Sequence, residues 1–194
     1  MSIFQLLMLG MSAFFAFKIY EHIHTLEEPT QNKNNTQEDS HKFDAKEIVD
    51  EADEAFENGE LEKALSLLEE VIRYEKHDDE VLFKLGYISQ QLEKDNDAID
   101  HYKQALEINP SNEFIHNALA SIYRKNGEFT SAKIHLHNSI ELDDENPITY
   151  YNYGNLLVDM KREDEAVEMY KKALLLKPDF IEAKEEINKI LLDK

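Results

Sequence analysis

Residues Leu82 to Pro110 read L-F-K-L-G-Y-I-S-Q-Q-L-E-K-D-N-D-A-I-D-H-Y-K-Q-A-L-E-I-N-P. Two apolar stripes run through this stretch at helical spacing. Leu82, Leu85, Gly86 and Ser89 share one face, and Ile99, Tyr102, Ala105 and Leu106 share another. The polar triplet Lys94-Asp95-Asn96 separates them and reads as a turn. Asn109-Pro110 closes the second stripe, because proline cannot continue a helix. The reading is two short antiparallel helices. A residue without bulk at Gly86 lets their axes approach, and a large one such as Tyr102 fills the gap beside it.

The same pattern recurs at an interval of 34 residues. Ala64, Ala98, Ala132 and Ala166 form one column; Ala52, Gly86, Ala120 and Gly154 a second; Leu68, Tyr102, Leu136 and Tyr170 a third; Val71, Ala105, Ser139 and Ala173 a fourth. Further polar turns stand at Asn58-Gly59-Glu60, Asn126-Gly127-Glu128 and Lys161-Arg162-Glu163, and a second stop at Lys177-Pro178. One such helix pair is too thin to cover its own apolar face, so neighbours must stack and share a core.

These columns resemble the tetratricopeptide repeat, whose 34-residue pattern has small residues at positions eight, twenty and twenty-seven and Pro at thirty-two. The resemblance covers four tandem units, 45–78, 79–112, 113–146 and 147–180, within a domain spanning 44–180. The first unit departs most, with Glu51 in place of the usual Leu and Lys76 in place of Pro. The third has Asp144 for the Pro and His116 where a large aromatic is usual. Residues 181–194 read as a capping helix with Ile181, Ile187, Ile190 and Leu191 on one stripe. The expected fold is all-α, an α-solenoid of antiparallel helix pairs.

In this family the first helices of successive repeats line a concave groove that holds a peptide or helix of a partner. Carried over by position, that groove presents Val49, Asp50 and Asp53, then Phe83, Lys84 and Tyr87. Phe114, Asn117, Ser121 and Arg124 follow, and then Tyr151, Asn152, Asn155 and Asp159. Rings give contact area at low entropic cost, and Asn amides can pair with a peptide backbone whatever its side chains. Packing between repeats is the competing role for these rings, Tyr151 above all. The Lys and Asn pair with which some relatives clamp a chaperone's C-terminal carboxylate is absent. The corresponding positions are Val49 and Asp53, Phe83 and Tyr87, Asn117 and Ser121, and Tyr151 and Asn155.

Upstream, Ile3 to Phe17 carries no charge, and with Lys18, Ile19 and Tyr20 the apolar run reaches residue 20. At 1.5 Å per residue it spans about 27 Å, near the ~30 Å hydrocarbon thickness of a bilayer. Residues 1–26 are therefore read as a single-pass transmembrane anchor. A cleaved signal peptide is the alternative, against which stands the lack of Lys or Arg before the run. Lys18 and Lys33 after the run favour a cytoplasmic repeat domain, with a periplasmic or external one as the alternative. Residues 27–43 are polar and Asn/Gln/Thr-rich, a linker expected to lack fixed structure.

Composition narrows the function further. With 41 acidic and 21 basic residues the formal charge is −20, which disfavours nucleic acid as a partner. No cysteine is present, so disulfides and thiolate chemistry are excluded. No catalytic motif or small-molecule site stands out, and neither a cofactor nor a metal is expected. His135 and His137 point to different faces of a helix, and His101 and His135 occupy equivalent positions in successive repeats. Residues 44–80 carry fifteen acidic and four basic side chains. They form either a solvated surface or an attraction for a basic partner segment. The expected role is a membrane-tethered scaffold that binds a client protein. The alternative is a structural subunit packed permanently in a membrane-associated complex or homo-oligomer.

Overall fold

The computed structural model describes residues 43–75 and 78–192. The apolar run of residues 3–20 and the polar stretch up to residue 42 lie outside them, and so do the transmembrane and linker assignments. Among the described residues no helix is long and apolar enough to cross a membrane.

Nine helices follow one another in the described chain, without strands. They are α1 (Ala45–Glu57), α2 (Leu61–Tyr74), α3 (Asp79–Gln91), α4 (Asp95–Ile108), α5 (Glu113–Lys125), α6 (Phe129–Leu142), α7 (Pro147–Asp159), α8 (Glu163–Leu176) and α9 (Ile181–Leu192). Each odd helix from α1 to α7 packs antiparallel on the even helix after it, and each even helix packs on the next odd one. The result is an all-helical solenoid.

Local chemistry sets the start and stop of the first helix in each repeat. The four first helices are capped by Asp44, Asp78, Asn112 and Asn146, whose side chains accept backbone N–H bonds from the first turn at 2.9 to 3.3 Å. Each such cap stabilises a helix by about 1 kcal/mol. The same helices all end alike. Gly59, Glu93, Gly127 and Lys161 adopt positive φ (59° to 79°). Glu60, Lys94, Glu128 and Arg162 donate back to the carbonyls of Ala55, Ser89, Tyr123 and Leu157. This is a Schellman closure, which satisfies the last carbonyls and reverses the chain within a few residues. In the second repeat the turn therefore falls on Leu92, Glu93 and Lys94, not on Lys94-Asp95-Asn96. Asp95 and Asn96 already belong to α4.

All four columns found in the sequence are buried. Ala64, Ala98, Ala132, Ala166, Leu68, Tyr102, Leu136 and Tyr170 are at most 1% exposed. A methyl group on Gly86 would lie 2.6 Å from the Tyr102 ring, and one on Gly154 would strike Tyr170. Where the small residue is Ala, at Ala52 and Ala120, the column of large residues carries Leu68 and Leu136 instead. Glycine thus accompanies tyrosine and alanine accompanies leucine, which keeps the volume filled between the two helices nearly constant.

The apolar core falls into two clusters. One runs from Ala52 to Leu136 with Leu156 joined to it; the other runs from Tyr150 to Ile190. A polar knot lies between α5, α6 and α7. The Asn117 amide donates to the hydroxyls of Ser139 and Thr149 at 2.7 Å each, and those hydroxyls stand 3.1 Å apart. The capping helix α9 packs through Ala183 and Ile190, with Phe180 before it and Ile187 half-buried, while Ile181 and Leu191 are exposed. The stripe expected for it is thus corrected. At 100° per residue, positions 183, 187 and 190 share a face and 181 lies opposite 190.

Candidate functional site

Successive first helices are bridged to one another by side chains that cross between repeats. Lys84 on α3 reaches Asp53 on α1, with its ammonium 2.9 and 2.8 Å from the two carboxylate oxygens. Glu80 stands 3.9 Å from the same ammonium. Phe56 and Tyr87 bring their rings to 5.7 Å. The Asn152 amide on α7 donates to the Asn117 carbonyl oxygen on α5 at 3.2 Å, and Arg124 on α5 pairs with Asp159 on α7 at 2.7 Å. These bridges follow from the period. Residues one repeat apart occupy the same height on neighbouring helices, so a long side chain near one end meets a carboxylate of the next repeat.

The structure separates the family-derived groove residues into two kinds. Phe83, Phe114, Ser121, Tyr151, Asn152 and Asn155 are half-buried. Phe83 packs on Tyr102 at 5.9 Å. Tyr151 leans on Tyr170 at 5.7 Å and Phe180 at 5.0 Å. Asn155 accepts a hydrogen bond from the Tyr170 hydroxyl at 2.8 Å. By contrast Lys84, Tyr87 and Asn117 are buried, at 6%, 8% and 8% exposure. Asn117 spends its amide on the polar knot, and Lys84 spends its charge on Asp53. Arg124 is half-buried in its ion pair. Val49 is half-buried and Asp50 exposed on α1.

One juxtaposition escaped the sequence. His116 on α5 and His135 on α6 bring their Nδ1 atoms to 2.9 Å, and Tyr123 stacks on His135 at 14° between ring planes. Burial pushes the His135 imidazole down, helped by His116 and by Lys103, to about 4. Burial also lowers His116, against an upward pull from the Pro110 carbonyl. The available signal was His116 standing where a large aromatic is usual, opposite the next helix's buried face. Among the described residues no group of three or more His, Asp or Glu side chains could hold a metal ion.

Residues 90–127 match the family described as TPR repeat, and residues 115–146 and 148–180 match the family described as tetratricopeptide repeat. A protein O-mannosyl-transferase of Caenorhabditis elegans is 29% identical over 103 residues. That alignment covers 53% of this chain and 15% of the relative, so the chain spans a small part of that protein's length. The crystal structure of MamA superposes with a TM-score of 0.67 at 26% identity, covering 72% of this chain and 81% of that one. The first TPR of Spaghetti (RPAP3), solved bound to the HSP90 peptide SRMEEVD, superposes with a TM-score of 0.57 at 25% identity, covering 59% of this chain and 91% of that one. Caps, closures, buried columns and these likenesses agree: the chain carries tetratricopeptide repeats, stacked as a solenoid.

Proposed function

We propose that the chain is a scaffold that binds a peptide or helix of a client protein along its first helices, and that residues 3–20 tether it to a bilayer with the repeats on the cytoplasmic side. One observation carries the binding role. Half-buried rings and side-chain amides are fixed in a row across α3, α5 and α7, with Tyr151 braced by Tyr170 and Phe180. Asn152 and Asn155 are oriented by Asn117 and Tyr170. Pre-set amides and rings lose little freedom when a segment lies across them, which favours binding over ordering cost. The peptide-bound repeat of Spaghetti lends support, since that protein uses the same fold to hold a peptide. The tether rests on the length and apolarity of the run Ile3 to Tyr20.

A photo-crosslinking residue placed at Asn155 in the full chain, in intact membranes, tests the binding role against one at exposed Glu168 on α8. A client joined from Asn155 and not from Glu168, and lost on Tyr151→Ala, is the expected result. Crosslinks arising equally from both positions would remove the case for the first-helix face. Alkaline extraction and protease access in sealed vesicles test the tether and its orientation.

A further inference from the structure

The cationic side chains along the binding face are consumed by the protein itself. Lys84 is 6% exposed and gripped by both oxygens of Asp53. Arg124 is paired with Asp159, and Lys125 with Asp95, at 2.7 Å each. An acidic ligand therefore meets no ready partner among them. The carboxylates are in excess. Glu80 keeps a 58% exposed side chain beside a Lys84 already satisfied by Asp53. At the other end Tyr151 has Glu182 and Glu186 near enough to add to the upward push that burial gives its phenol. Asp159 and Glu186 act likewise on Tyr170. No ion pair of Glu182 occurs among the described residues.

On the reading of this face as a peptide site, we infer that its occupant is an extended segment bearing Lys or Arg side chains. One cation is received by Glu80, and another by Glu182 beside Tyr151. Charge complementarity selects this class. Glu186 near Tyr151 is paired with Lys189, Glu182 beside it is not, Glu80 is exposed, and the protein as a whole is at −20. Two partly exposed charge contacts, each worth a fraction of a tenfold step, together favour a basic segment by about tenfold over a neutral one.

The full chain is titrated with three fluorescein-labelled synthetic peptides that share alternating Leu positions and carry Lys, Gln or Glu between them. The Lys peptide is expected to bind about tenfold tighter than the Gln peptide at low salt, with the gap narrowing as salt screens it. The double variant Glu80→Gln/Glu182→Gln is expected to bring the two peptides within about twofold of each other. A variant with the same charge change on α8, Glu165→Gln/Glu168→Gln, is expected to keep the gap, which separates the site from the protein's general negative charge. An equal loss in both variants overturns the inference. So does tighter binding of the Gln or Glu peptide, although capture of those peptides at Tyr151 leaves the peptide-site reading intact. If no peptide binds at all, that reading fails and the inference with it. Glu182→Gln alone, at a half-buried position without an ion pair among the described residues, repeats the comparison should the double variant lose its helical signal.

Discussion

The imidazole rings of His116 and His135 face each other through Nδ1 atoms 2.9 Å apart, across the two helices of the third repeat. At neutral pH one ring donates its proton to the other's lone pair. A second proton would set two donors against each other beside Tyr123, with Lys103 adding to the repulsion felt by His135. His135 titrates near 4 in the folded chain and near 6.5 when unfolded. The unfolded state then binds more protons between those values. Stability is full above about pH 6.5, falls as pH drops toward 4, and loses nothing further from this group below that. Unfolding free energies from urea titrations at pH 7 and pH 5 should differ by on the order of 2 kcal/mol. His135→Gln should flatten the profile, leaving a residual slope from His101 and His116, whose pKa values burial also lowers.

The Gly86 and Tyr102 pair predicts an asymmetric pair of mutants. Gly86→Ala adds a methyl 2.6 Å from a fully buried ring. The overpacking costs about 1–3 kcal/mol, against at most ~1 kcal/mol gained in helix propensity. Adding Tyr102→Leu recreates the Ala and Leu combination of the first and third repeats. It should recover part of the loss, read as the midpoint of thermal unfolding.

Glu93 and Lys161 hold positive φ (59° and 62°) at the closing position that Gly59 and Gly127 fill in the other two repeats. A side chain there costs about 1–2 kcal/mol relative to glycine, partly offset by glycine's freedom in the unfolded chain. Glu93→Gly and Lys161→Gly should each raise stability by roughly 0.5–1 kcal/mol, visible as a higher denaturant midpoint.

Removing the amide at the centre of the polar knot should be costly. Asn117→Ala leaves the Ser139 and Thr149 hydroxyls, both 0% exposed, without their 2.7 Å donor, and takes the acceptor from Asn152. About 2 kcal/mol should be lost in chemical unfolding. Amide exchange should quicken in α6 and α7 before the first two repeats respond.

The two partners of the Lys84 and Asp53 pair should respond unequally. Asp53→Ala strands an ammonium that is 6% exposed, with only Glu80 at 3.9 Å to compensate, and should cost about 2–3 kcal/mol. Lys84→Met leaves a carboxylate whose side chain is 29% exposed and still solvated, and should cost under about 1 kcal/mol. Equal losses in urea unfolding would show that burial does not govern this pair.

Much of the fold was readable residue by residue. Ala64 and its equivalents, the Gly86 column and the Tyr102 column were all singled out by spacing, and all are buried. Helix ends were less legible. The turn of the second repeat lies a few residues earlier than its polar triplet suggested, because the closing residue, Glu93, is not the glycine that marks such turns elsewhere. The packed face of α9 was misjudged because six apolar residues in a short helix fit more than one stripe, and the packing of Ala183, Ile187 and Ile190 into the cluster of Tyr150, Tyr170 and Phe180 selects the one that meets the solenoid.

The sequence by itself determined the period, the antiparallel pairing and the alternation of small and large core residues. These depend on local helical geometry and on side-chain volume, both carried by the order of residues. Only the tertiary structure decided which first-helix residues are sealed inside. Lys84 and Asn117 occupy groove positions by register, yet each is buried and tied to partners 22 to 35 residues away. The meeting of His116 with His135 is of the same kind. Burial and pairing depend on how one helix lies against another, and that geometry is fixed by the packing of neighbouring repeats and not by any one stretch of chain.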